Sequence, residues 1–144
     1  MHLKGVIRTL VAVAALFAAA AVHAQRPLVP IVDRPDVPVV TASGKPLSQE
    51  ALKQAIISGG ANGPRRWMIV PEGDGKTLRG TYIVRQHTVV VQIVPESSSY
   101  SVKYADSSNM KYAVEYGGKP VIHPFYNDWV DQLIRAIDFE VKKL

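Results

Sequence analysis

The sequence predicts an α+β fold: an N-terminal helix, an antiparallel meander of four to five strands and a long C-terminal helix, with both helices on one face of the sheet. Three observations carry this reading. Apolar residues recur at helical spacing near residues 47–58 and again from Tyr126 to Ile137. Between them, from Arg65 to Tyr116, the period falls to two. Helices set at the ends of a run of strands mark the α+β class.

Ahead of these elements stands an export signal. Lys4 and Arg8 give a positive start, and Val22-His23-Ala24 places small residues for cleavage after Ala24. The 13 apolar residues from Leu10 to Val22 would span roughly 20 Å as a helix, short of the roughly 30 Å of a bilayer core. Residues 1–24 are therefore expected to be a cleaved signal peptide rather than an anchor. The mature chain, Gln25 to Leu144, is expected in the periplasm.

Composition narrows the function. Of 17 Lys and Arg, Lys4 and Arg8 leave with the signal, so 15 stand against 12 Asp and Glu. That net charge of +3 is too mild to argue for nucleic acid. The chain has no cysteine, so neither disulfides nor a lipid anchor on an N-terminal cysteine is expected. An apolar core has to hold the fold, as it can in a single domain of this size.

Residues 25–46 carry prolines at 27, 30, 35, 38 and 46. Proline fixes φ, lacks a donor and keeps its predecessor extended, so an extended arm is expected, disordered or laid on the surface. The folded domain, residues 47–144, opens with a helix. Ser48 is its cap, Leu47 and Leu52 form a hydrophobic staple, and Leu52, Ala55 and Ile56 make the apolar stripe. Gly59-Gly60 reads as its stop.

"RWMIVPE" is the first strand, closed by Pro71 and the turn "EGDG". The 19 residues of "KTLRGTYIVRQHTVVVQIV" exceed one strand, so the chain must reverse near Arg85-Gln86-His87. In "SYSVKYADSSNMKYAVEY" the tyrosines, valines and methionine all fall on even positions. A hairpin pairing Asp106 with Met110, with Asn109 left-handed in a three-residue loop, fits that pattern. In the last helix Tyr126, Trp129, Val130, Leu133 and Ile137 form one buried stripe. Asp131–Arg135 and Asp138–Lys142 are i, i+4 pairs on the opposite face. In "VIHPFYNDWV", Pro124 suits a first helical position, with His123 as the cap or, failing that, Asn127.

Reactive motifs are few. "GDGKT" at 73–77 lacks the glycine of a phosphate-binding loop, having Val70 in its place, and reads as a β-turn. Once the signal is gone only His87 and His123 remain, without metal-ligand spacing, so no metal and no cofactor are expected. No "GxSxG" elbow marks Ser107 or Ser108 as a nucleophile. Tyr100, Tyr104, Tyr112 and Trp129 supply an aromatic face that is either core or a contact surface.

"RQHTVVVQIV", "YSVKYADSSNMKY" and "IHPFYNDWVDQLIRAI" together resemble a family of small exported proteobacterial proteins, described as lipoproteins or as periplasmic proteins without an assigned activity. The likeness spans residues 50–143. It is sharpest at Arg85-x-His87, Tyr104-x-Asp106-Ser107-x-Asn109 and Ile122-His123-x-x-Tyr126-Asn127-x-Trp129. It implies an exported α+β protein; the lipid tether of some members does not carry over, for want of a cysteine. Arg85, His87, Asp106, His123 and Asn127 are expected to converge into a polar cluster, either a ligand site or a network locking helix to sheet. The reading that results is a non-enzymatic envelope protein, monomer or weak homodimer, binding a partner protein or a small ligand. The alternative is a hydrolase-like or metal-dependent enzyme using His87 and His123.

Overall fold

The computed structural model describes residues 26–144; the expected signal peptide lies outside them. The elements are β1 (Val29–Pro30), β2 (Arg34–Pro38), α1 (Gln49–Asn62), β3 (Met68–Pro71), β4 (Leu78–Val84), β5 (His87–Pro95), β6 (Ser99–Ser108), β7 (Ala113–Val114), β8 (Pro120–Ile122) and α2 (Phe125–Val141). The fold is α+β, with two helices and two antiparallel sheets, one of five strands ordered β2-β6-β5-β4-β3 and one of three ordered β1-β8-β7. Among the described residues, no helix is long and apolar enough to cross a membrane.

The expectation that a helix opens the fold is not met, because two strands of the proline-rich arm precede α1. Residues 34–38 run along β6 and 29–30 along β8. Both β2 and β1 are edge strands. Proline is tolerated there, since the donor it lacks need not join a ladder. A bulge between Arg34 and Val37, with Asp36 left-handed at φ 51°, fits the proline spacing to the sheet. The arm is extended, as its composition requires, and it forms part of both sheets.

Helix α1 starts on the Ser48 side chain, which accepts the Ala51 N–H at 3.1 Å. Its end corrects the sequence reading. Gly59 and Gly60 do not stop the helix, which runs on to Asn62. A Cβ on Gly59 would lie 2.6 Å from the Ile137 Cα, and one on Gly60 2.5 Å from Ile69. These glycines let α1 seat directly on α2 and on β3.

Strands β3 to β6 form a four-strand meander. The β4–β5 reversal falls at Arg85-Gln86, with Val84 facing His87 and Arg85 left-handed at φ 54°. Arg85 therefore lies in the turn and not on a strand beside His87. In the β3–β4 loop, Asp74 accepts the Lys76 and Thr77 N–H groups at 2.9 and 3.3 Å, which holds its carboxyl below its usual range. "GDGKT" is thus a turn held by its own aspartate.

The hairpin expected from Asp106 to Met110 does not form. β6 pairs with β5 as far as Ser108, around a bulge between Val90 and Val91, and β7 pairs instead with β8. Asn109 is left-handed as expected (φ 56°), but Lys111 is too (φ 54°), and the chain leaves the sheet. The free side of β6 is already taken: β2 occupies it up to Val102, and the Asp33 carboxylate accepts the Tyr104 N–H at 3.1 Å.

Both helices pack on one face of the five-stranded sheet. Gly60 meets Ile69, Trp129 meets Tyr82 edge-on at 5.1 Å, and Tyr126 meets Tyr104 at 5.6 Å. Trp129, Leu133 and Ile137 are buried, each worth about 1.5–3 kcal/mol in apolar transfer. The opposite face leaves Met68, Val70 and Ile83 exposed. Of the two expected helix-face pairs, Asp138–Lys142 forms at 2.6 Å, whereas Asp131 turns away from Arg135 to Arg34 of the arm, at 2.8 Å.

Candidate functional site

Arg85, His87, Asp106, His123 and Asn127 do not meet in one cluster. Asp106 is exposed and accepts the N–H of its neighbour Ser107. Asn127 reaches the arm: its amide donates to the Pro30 carbonyl at 3.0 Å and its oxygen accepts the Val32 N–H at 3.1 Å. One side chain thereby satisfies the backbone between β1 and β2, where neither ladder can.

His123 starts α2. Its Nδ1 accepts the Phe125 N–H at 3.2 Å, and its carbonyl accepts the Tyr126 N–H. Pro124, inside the turn, has no donor to satisfy. Burial first, and then the charges of Lys111, Arg26 and His87, hold the imidazole pKa below its ordinary value of 6.5. The neutral ring is the form that can accept the bond.

The aromatic residues divide in the same way. Tyr100 is core, and burial, with Asp138 adding to it, pushes its hydroxyl pKa far up. Tyr104 is half-buried and stacks on the exposed Tyr112 at 5.1 Å, with planes 5° apart. Trp129 belongs to the core and also to a cleft.

That cleft, of about 440 Å³, lies between the start of α2, the β4–β5 turn and the segment after α1. Arg85, His87 and Trp129 line it, and so do Arg65, Val84, Phe125, Asp128 and Gln132. Arg65 is its best-held charge. Its Nε donates to Gln132 at 2.7 Å and Nη1 to the Tyr82 hydroxyl at 2.9 Å. The guanidinium also lies over the rings of Trp129 and Tyr82, 5.5 and 5.7 Å from their centroids. Among the described residues no carboxylate forms a salt bridge with Arg65 or Arg85. His87 bonds the Asn109 carbonyl through Nδ1 at 2.8 Å. A carbonyl only accepts, so the proton sits on Nδ1 and Nε2 is left for the cleft.

Sequence reasoning missed Arg65. It follows "GGANGP" with no motif around it, and only the return of the chain from α1 to β3 brings it to α2. Among the described residues no group of three His, Cys, Asp or Glu is placed to hold a metal ion. Comparison with protein-family models, with curated proteins and with solved structures finds no match.

Proposed function

We propose that this is a small exported protein of the bacterial cell envelope that binds a ligand, without catalysis, in the cleft between α2 and the β4–β5 turn. The observation that carries the reading is a pair of arginines without carboxylate partners beside an aromatic wall. Guanidinium groups without a carboxylate partner, one of them (Arg65) poised over aromatic rings, suit recognition of an incoming group. The export part rests on residues 1–24 and on the resemblance to small exported proteobacterial proteins.

One feature favours binding over the alternative, a hydrolase or metal enzyme built on His87 and His123: among the described residues neither histidine has a carboxylate bonded to it as an orienting partner. Osmotic-shock release from cells expressing the full chain, followed by native mass spectrometry, tests the proposal. A released protein beginning at Gln25 and carrying a small-molecule adduct is expected. Retention in the cytoplasm would overturn export. A released protein with no adduct, together with a hydrolytic activity lost in His87→Ala, would overturn binding.

A further inference from the structure

Resting on the binding reading, we propose that the cleft takes a singly charged organic anion: a carboxylate on Arg65 and Arg85, with an aromatic body against Phe125 and Val84. The charges decide the first half. Two arginines, Arg65 and Arg85, and one carboxylate, Asp128, line the cleft. The surplus of one positive charge matches a monoanion and opposes a cation. A dianion such as phosphate would bring a second negative charge to a lining that already holds Asp128, and the next guanidinium, Arg26, is placed over the Phe125 ring.

The held geometry of Arg65 decides the mode. Two of its five donors are spent, on Gln132 and Tyr82, and these fix the plane of the fork. Its remaining donors can meet a carboxylate without ordering a loose side chain, which lowers the entropic cost of binding. Arg85, on the turn, supplies the second guanidinium from an exposed position. The apolar half of the ligand follows from Phe125. Phe125 is 38% exposed although its ring has Arg26 over it at 4.8 Å and packs against His123 and Trp129 at 4.6 and 5.7 Å, so it offers its remaining apolar rim to the ligand.

The left-handed φ of Arg85 supplies a clean variant. Arg85→Gly removes the guanidinium and places at that φ the residue that tolerates it best, so loss of the charge is not confounded with loss of the fold. The probes are 2-naphthoate, neutral 2-naphthamide and inorganic phosphate, titrated into the protein purified from cells expressing the full chain. Tryptophan fluorescence, through Trp129, and calorimetry report binding. We expect 2-naphthoate to bind saturably, and the amide and phosphate each to bind at least about tenfold more weakly. Arg85→Gly should cost roughly 10- to 100-fold in 2-naphthoate affinity with an unchanged or higher Tm, and Arg85→Lys should recover part of it. The proposal falls if 2-naphthoate shows no binding at millimolar concentration, if acid and amide bind alike, if phosphate binds more tightly, or if Arg85→Gly binds like wild type. If it falls while the released protein still carries an adduct, the ligand class is wrong and the binding reading stands; if the adduct is also missing, both fail.

Discussion

Asn127 and His123 sit four residues apart at the start of α2, and each does with a side chain what backbone cannot. Asn127 makes two hydrogen bonds to the arm, and Asn127→Ala is expected to lower unfolding free energy by about 1–2 kcal/mol, measured by denaturant titration. His123 adds a dependence on pH. Its folded pKa lies below the unfolded one, so its bond from the Phe125 N–H is fully present above about 6.5 and is lost as pH falls through the folded value. The charges of Lys111, Arg26 and His87 act in the same direction. The denaturant midpoint of wild type should therefore drop between about pH 7 and pH 5 by more than that of His123→Asn, whose cap does not titrate. Equal drops would remove His123 from the account. Tyr100 gives a third test at this scale, since its buried hydroxyl has no hydrogen-bond partner among the described residues. Tyr100→Phe is expected to be at least as stable as wild type in the same titration.

At the scale of elements, the closest approach of the two helices is set by Gly59 against Ile137. Gly59→Ala brings a carbon onto main-chain atoms that cannot swing aside. We expect it to lose about 1–3 kcal/mol or to shift α1, despite the better helix propensity of alanine; a stability gain would refute the packing argument. This site also shows why some elements were legible in the sequence and others were not. The α2 stripe from Tyr126 to Ile137 and the Ser48 cap are local patterns, readable from residues a turn apart. The two glycines look the same whether they end a helix or admit a neighbour, and only the partner helix, some 80 residues on, distinguishes the two cases. The partner of β6 was hidden for a related reason. Parity within residues 100–116 correctly placed a left-handed Asn109, but it could not reveal that β2 already held that edge. The cleft was half legible: Arg85 and His87 stood out beside the turn, whereas Arg65 enters through tertiary packing alone.

For the whole molecule, the arm matters more than its composition suggests. Pinned by Asn127, by Asp33 on Tyr104 and by the Arg34–Asp131 pair, residues 29–38 tie both sheets to α2. The contacts to α2 join residues 95 to 97 apart in sequence. Such separations are costly to close and slow folding. The first described strands thus pair with β6 and β8 but are pinned from α2, and a chain lacking α2 loses those pins. A chain emerging in order therefore cannot pin its arm before α2 exists: the topology makes the earliest described strands wait for an element about 95 residues later.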